Sequence, residues 1–395
     1  MNSLLQNTVS LSGTVNWDWV FFGAFLLLMV AIVLYSLVIP QGGKRWWALT
    51  LLLGAFVLAG MAVGEGTLRV VLLDIAAFLA VALVWNEDCP KAKIAARRYL
   101  ILMVIAMAFI ACGLYLVEGN APLAAPLDKI AAGLLIVGFS LKLAFVPFYF
   151  WLPGVAEHSK PMTTALIVAV VDIAAFTELV HLRLNAGWVF ENYAPLWLVL
   201  ALLSMFGGAV LALAQKNIKR MLAFSTIDDM GYLLLGTLVG TQAGLSGALL
   251  AALGHAFFKV MLFAAVGVAE HKNGHDLSIE DHGMAARYPV SAAAFIAGAL
   301  GMIGVPPLFG FLGRWRLYLA GVEFGGWMLV IAMSLATGLA LLYYVRVIHL
   351  VWLGKPDGEI VKGQEPKLAA AVLVVLMVLT LVVGLYPTWL TALIG

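Results

Sequence analysis

Seven ionisable side chains lie where the chain is otherwise apolar enough for the interior of a bilayer. Lys142 sits in "VGFSLKLAFVPFYFWLP", residues 137–153, with no acid beside it and with Pro147 nearby. The others are Asp74 in "VVLLDIAAF", Asp172 and Glu178 in "AVVDIAAFTELVHL", His255 and Lys259 in "GHAFFKVMLF", and Arg314. A charge in the middle of a membrane helix is costly and persists where it faces a bundle interior or a watered path. The chemistry such groups suggest is proton transfer. Burial disfavours a charged amine while a nearby carboxylate favours it, so a lysine held in that balance exchanges its proton when the carboxylate moves or changes charge. His255 titrates near neutrality without help, and it shares a helix face with Lys259, four residues on. Asp172 and Glu178 are six apart and do not match one face. Two structural readings stand beside this one. Lys142 could form a static ion pair with Asp74 or Asp172, and snorkelling to an interface fits Glu178, Arg183 and Arg316 but not Lys142 or Lys259, which lie deep in their spans.

The elements that position these groups are membrane helices. Of 395 residues, 64% are hydrophobic and 11% charged, with a mean hydropathy of +1.03; soluble domains hold about 45–50% apolar and about 25% charged residues. Apolar runs of about 18–25 residues recur from end to end, each able to cross a hydrocarbon core of roughly 30 Å as a helix. The pattern predicts an all-α polytopic membrane protein with about twelve transmembrane helices, at 17–39, 45–64, 70–86, 99–117, 128–152, 161–184, 193–214, 221–240, 243–269, 289–312, 324–351 and 368–391. The longest polar connections, around 270–288 and 353–367, are too short for a soluble domain.

Basic residues gather in alternate connections. One set carries Lys44 and Arg45, then Lys91 to Arg98, Lys160, Lys216 to Arg220, Lys272 with Arg287, and Lys355, Lys362 and Lys367. The other holds little more than Arg69, Lys129 and Arg183, with Arg314 and Arg316 near the end of the tenth span. That asymmetry places the basic loops in the cytoplasm and both termini outside. Two spans are broken, the fifth by Pro147 and Pro153 and the tenth, "GMIGVPPLFGFLGRW", by Pro306 and Pro307 between glycines. Irregular backbone at membrane depth is tolerated where it is buried in protein or lines a wet cavity. Spans five apart cross in opposite directions, which is the footprint of an inverted repeat whose broken helices mark an ion site. A single membrane domain then divides into N-terminal helices (17–69), a first repeat (70–214), a second repeat (221–351) and a C-terminal helix (368–391).

Other function classes find little support. The net charge of +2 points to no polyanionic partner, and no basic nucleic-acid patch, nucleotide loop or nucleophile elbow is present. The two cysteines, Cys89 and Cys112, suit a reduced or apolar setting better than a disulfide or a metal site. The N-terminus lacks the basic region of a cleaved signal peptide.

Four stretches, in order, carry a family resemblance: Lys142 through "PFYFWLPG" to "TTALIVAVVDIAAF", then "AQKNIKRMLAFSTIDDMGYLLLG", "GHAFFKVMLFAAVGVAEH" and "GVPPLFGFLGRWRLYLAG". Over roughly residues 68 to 350 the chain resembles the antiporter-like subunits of respiratory complex I, which share a superfamily with subunits of multisubunit sodium/proton antiporters and membrane-bound hydrogenases. The resemblance implies that Lys142 is the central lysine of the first broken helix and that Asp74 falls near the glutamate paired with it. It likewise implies that His255 and Lys259 form the middle relay and that Arg314 stands where the second broken helix carries lysine or glutamate. It implies a half-hydrated axis in the membrane plane, driven by charge changes in neighbouring redox subunits.

The departures are informative. Asp74 is shorter than a glutamate, Asp172 stands at or beside a position where relatives often carry Lys or His, and Arg314 keeps its proton at any accessible pH. Asp228 and Asp229 replace uncharged residues and read as a polar helix entrance. The chain reads about two helices shorter than the usual fourteen, before Asp74, and has no lateral helix after the core. The expectation is therefore an ion-translocating, proton-moving subunit in a prokaryotic cytoplasmic membrane, with other membrane subunits as partners and no flavin, iron–sulfur cluster, metal or other cofactor of its own. Two alternatives are a sodium/proton antiporter module, with Asp172 or Asp74 binding the cation, and a structural subunit with a degenerate path.

Overall fold

The structure is a computed structural model that describes residues 17–86, 89–117, 125–356 and 365–394. Most of the N-terminal stretch read for a signal peptide, and Lys362, lie outside them. All the described elements are helical apart from one isolated bridge, Asn217 to Ser278. In chain order they are α1 (Trp17–Ser36), α2 (Lys44–Val63), α3 (Thr67–Val84), α4 (Pro90–Val117), α5 (Leu127–Lys142) and α6 (Leu152–His158). Next comes α7 (Pro161–Leu166), which runs through a π turn (Ile167–Val171) into α8 (Asp172–Asn185). The second half comprises α9 (Trp188–Glu191), α10 (Ala194–Leu213), α11 (Ile218–Val239), α12 (Gln242–Asn273), α13 (Met284–Arg287), α14 (Pro289–Ile303), α15 (Gly310–Val347), α16 (Lys367–Leu385) and α17 (Thr388–Ile394).

Ten helices among the described residues are long and apolar enough to cross a membrane. The sequence pattern suggested about twelve spans. The difference lies in the two interrupted ones, 128–152 and 289–312, neither of which holds a single helix of spanning length. The last residues of the latter, from Gly310, instead begin α15, which bends at Gly326, where φ is 61° and the residue is a glycine for that reason.

Several backbone groups loosened by the breaks find new partners, which burial in an apolar medium favours. After Lys142, Leu143 N–H donates to Phe139 O at 2.9 Å and Phe145 N–H to Ser140 O at 3.0 Å. The Val146 N–H donates to Ser204 Oγ of α10 at 3.0 Å, and the Trp151 indole donates back to Leu141 O at 3.0 Å. Pro147 follows, where no N–H needs a partner. In the second break Gly304 turns the chain at φ 88°, Val305 N–H reaches Leu300 O at 2.9 Å, and Phe309 N–H reaches Thr380 O of α16 at 3.3 Å. Pro306 and Pro307 occupy the intervening positions.

The helices are graded by burial. The apolar windows of α7–α8 and α11 are wholly buried and that of α12 is 94% buried, whereas α4 is only 22% buried and shows Ile101 and Val104 to its surroundings. Helices that are apolar all round belong in the middle of a membrane bundle, and these three carry Asp172, Glu178, Asp228, Asp229, His255 and Lys259. Capping fixes their ends: Asn217 accepts from Arg220 N at 3.0 Å and Thr241 from Gly244 N at 3.2 Å. Small residues let α10 lie close on α11. A Cβ at Gly208 would collide with the backbone of Asp228, and one at Gly231 would meet Ala201 O.

Gly208→Val is therefore expected to push α10 off α11 and destabilise the protein by about 1–3 kcal/mol. Gly338, whose Cβ would meet nothing within 4 Å, should accept valine without loss. Thermal unfolding in detergent checks both; equal stability of the two variants would rule out the close α10–α11 contact.

Candidate functional site

Two buried charge clusters hold the residues singled out by the sequence. In the first, the Lys142 ammonium at the last turn of α5 meets Asp74 Oδ1 of α3 at 2.6 Å, with both side chains less than a tenth exposed. Lys142 is placed by the break itself, because α5 stops on it and Trp151 folds back onto the preceding residue's carbonyl. Trp151 in turn stacks on Tyr99 of α4, with ring centroids 4.3 Å apart and planes within 10°.

Asp172 is buried next to the π turn, and among the described residues the hydrogen-bonded ion pair of Lys142 is with Asp74 and not with Asp172. The expected second partner is thus a neighbour in the field of the lysine and not a ligand of it. A π turn inserts an extra residue and commonly occurs at functional positions. Tyr99 Oη, whose hydroxyl lies in the field of Asp172, and Ser140 Oγ, two residues before Lys142, are buried without a hydrogen-bond partner among the described residues. Polar atoms in such a setting are the ones that ordered water satisfies.

The second cluster is built on two antiparallel helices. Asp229 of α11 lies opposite His255 of α12, and four residues away on each helix Ser225 lies opposite Lys259. The two rungs are therefore about 6 Å apart along the axes. Asp229 Oδ2 pairs with His255 Nδ1 at 2.7 Å and Asp229 Oδ1 accepts from Arg314 Nη2 at 2.8 Å. With Nδ1 against a carboxylate, the neutral imidazole carries its hydrogen there and leaves Nε2 as an acceptor. Lys259 Nζ donates to Leu222 O at 2.8 Å and to Ser225 Oγ at 2.5 Å.

Arg314 also donates to Met302 O, across the break, at 2.9 Å, and lies 3.7 Å from the Tyr232 ring centre. Asp228 accepts from Tyr343 at 3.0 Å, and Tyr344 donates to Ser225 Oγ at 3.2 Å. Three atoms facing this cluster have no hydrogen-bond partner among the described residues: Asp228 Oδ1, His255 Nε2 and Arg314 Nη1.

Several sequence readings are corrected. Asp228 and Asp229 are not a helix entrance: they lie in the middle of α11, buried, and Asp229 is the counter-ion of Arg314. Glu178 does not snorkel. It is buried against Arg69 at 2.5 Å, and Arg69, counted among loop cations, is 1% exposed and also meets Asp18 at 2.8 Å. Asp18 has no local signal in the sequence, and the partner of Asp229 has none either, because each answers a cation far away in sequence. The available signal was the cation itself, since a buried arginine demands an acid somewhere. Arg183, in the last turn of α8, pairs with Glu191 at 3.1 Å. Among the described residues no group of three or more His, Cys, Asp or Glu side chains is arranged to hold a metal ion.

Comparisons with known proteins agree with this fold. The transmembrane family described as NADH:quinone oxidoreductase/Mrp antiporter matches residues 49–340. NADH-quinone oxidoreductase subunit N of Desulforudis audaxviator is 30% identical over 377 residues, covering 88% of this chain and 75% of the relative. A chain of respiratory complex I from Thermus thermophilus, solved with bound aureothin, superposes with a TM-score of 0.80 at 25% identity, over 100% of this chain and 91% of that one. A chain of the Mrp complex from Dietzia sp. shares the fold, with a TM-score of 0.87 at 21% identity over 96% and 82% of the two chains. An apolar, all-helical bundle with two broken helices and buried charge clusters on its innermost helices is an integral membrane protein, and this one belongs to the NADH:quinone oxidoreductase/Mrp antiporter transmembrane family.

Proposed function

We propose that the chain is a proton-translocating, antiporter-like subunit of a larger complex in a prokaryotic cytoplasmic membrane. Its partners are other membrane subunits, which carry the redox chemistry, and it holds no cofactor itself. The observation that carries this reading is the Lys142–Asp74 pair at the end of a broken helix. An ammonium with a single carboxylate contact holds its proton only while that carboxylate stays charged and close. A charge change arriving from a neighbouring subunit therefore loads or discharges it. Asp172, in the field of Lys142 without pairing with it, is positioned to receive or repel that proton. His255 and Lys259 carry the relay onward along the α11–α12 seam. The two breaks act as equivalent elements of inverted repeats spanning 70–214 and 221–351, with the basic loops in the cytoplasm and both termini outside.

Arg314 serves as a fixed charge. It cannot release a proton, yet it does not end the path, because Asp229 neutralises it and presents its other oxygen to His255. The exchangeable protons of this half belong to His255, Lys259 and the acids facing them.

In membranes or proteoliposomes containing the whole complex, Lys142→Ala is expected to lower proton transport by about a hundred-fold while the complex still assembles on a native gel. Undiminished transport would make the subunit a spacer. Transport that requires sodium and fails in Asp172→Asn would assign the carboxylate to an alkali cation instead. For the second cluster, Asp229→Asn leaves Arg314 buried without its counter-ion and should cost about 3–5 kcal/mol of stability, most of it recovered in Asp229→Asn/Arg314→Met. Thermal unfolding of the two variants reads this directly; a double variant no better than the single one would show that the pair is not coupled.

A further inference from the structure

A third group of buried charges lies away from both clusters. It joins the N-terminal ends of α1 and α3 to the C-terminal end of α8. Its members grade from surface to interior: the Glu65 side chain, in the α2–α3 connection, is 55% exposed, that of His181 11%, that of Asp18 3% and that of Arg69 1%. Contacts run without a gap. Glu65 Oε1 is 3.0 Å from His181 Nδ1, and His181 Nε2 is 3.2 Å from Asp18 Oδ2. Asp18 Oδ1 is 2.8 Å from Arg69 Nη1, whose Nε is 2.5 Å from Glu178 Oε1. Arg69 also donates to Thr177 Oγ1 at 2.7 Å and Gly64 O at 3.0 Å, while Asn185 holds the other oxygen of Glu65 at 2.9 Å.

Glu178 is the deep end. It lies seven residues before the end of α8, and Asp74 lies seven residues after the start of α3. Both are thus about 10 Å below the same face at 1.5 Å per residue. Asp74, which holds the Lys142 ammonium, and Arg69, which holds Glu178, both belong to α3, and α3 packs on α8.

We propose that Glu178, Asp18, His181 and Glu65, strung around Arg69, are the passage by which Lys142 exchanges protons with water on the face bearing the N-terminal end of α1. This rests on Lys142 being the central carrier. The Lys142 ammonium gives a proton, through water, to the Glu178 carboxylate, leaving a neutral amine and a neutral acid. Arg69, still charged, then has Asp18 as its remaining carboxylate partner. The proton passes through water alongside the Arg69 guanidinium to Asp18 and on to His181 Nε2, the imidazolium releases its Nδ1 proton to Glu65, and Glu65 releases it to solvent. The three acids are then carboxylates again, while His181 must exchange its Nε2 hydrogen for one on Nδ1 and Lys142 must take up its next proton from the opposite side before the cycle repeats. The groups facing His181 are Asp18 and the Trp17 ring from α1, Glu65 from the connection, and Glu178 and Arg69 within electrostatic reach. Arg69 at the centre repels a bare alkali cation, so the passage suits a hydrogen ion handed between fixed groups and not a sodium ion.

The test uses the whole complex in proteoliposomes, with the pH of each side set independently. His181→Gln and Glu65→Gln lie near the surface and should assemble normally. Transport in His181→Gln is expected to fall at least ten-fold and to lose its dependence on pH at the α1 N-terminal face, while the dependence on the opposite face is kept. Glu178→Gln should show the same loss; should it fail to assemble, Glu178→Asp, with reduced transport and an intact pH profile, stands in for it. Unchanged rates and unchanged profiles in the His181 and Glu65 variants, with Lys142→Ala inactive, would overturn the passage and leave the central lysine standing. Active transport in Lys142→Ala would overturn both. A sodium-dependent rate abolished by His181→Gln would overturn the proton assignment.

Discussion

The structure depends on the contact between the Lys142 ammonium and the Asp74 carboxylate. An unpaired ammonium at that depth is expelled towards an interface or stripped of its proton, and a helix that ends on it needs both backbone and side chain accounted for. The fold answers with an acid from α3 and with donors and acceptors for the loose turn from α10 and Trp151. A single carboxylate is enough to keep the charge yet too little to fix it permanently. The same geometry would serve a static bridge, so what distinguishes a carrier is its company: Asp172 within the field but not paired with it, and unsatisfied polar atoms at Tyr99 and Ser140.

The two halves solve the problem of a buried cation differently. In the first, the cation is a lysine and its proton is exchangeable. In the second, the cation at the break is an arginine, and the exchangeable groups have moved onto α11 and α12. The antiparallel register explains the four-residue spacing of His255 and Lys259. It matches the spacing of Asp229 and Ser225, so that each member of one pair faces one of the other. Asp229 serves both elements at once, one oxygen to the arginine of α15 and one to the imidazole of α12.

The breaks, Lys142 and the His255–Lys259 face were legible in the sequence because their cost is local: a proline or an amine in an apolar run announces itself without knowledge of its neighbours. The acid for Lys142, Asp74, was legible too, but the acids that compensate the buried arginines were not. Asp229 is 85 residues from Arg314, and Glu178 is 109 from Arg69. Nothing in periodicity says which distant helix a polar side chain faces. Proximity to a helix end made Glu178 look like a snorkelling residue, although its side chain is buried and held on Arg69 of α3. The number of spans was blurred for a related reason. Hydropathy does not register an interruption of a few residues, so 128–152 and 289–312 count as spans by apolar length, and only their prolines and glycines mark the breaks that leave neither with a spanning helix.

The helix formed by α7, the π turn and α8 shows how one element serves two environments. Asp172 and Glu178 are six residues apart, which at 100° per residue turns them about 240° away from each other. Asp172 therefore faces the lysine and Tyr99 while Glu178 faces Arg69 on α3. The π turn directly before Asp172 sets the angle at which α7 enters, so the Pro161 end docks on α12 while the Asn185 end stays against α3 and α1. A regular helix through 161–185 would rotate one of these two faces out of register. The two carboxylates thus take different partners because six regular residues of α8 separate them, while the irregular turn before Asp172 joins that helix to the segment docked on α12.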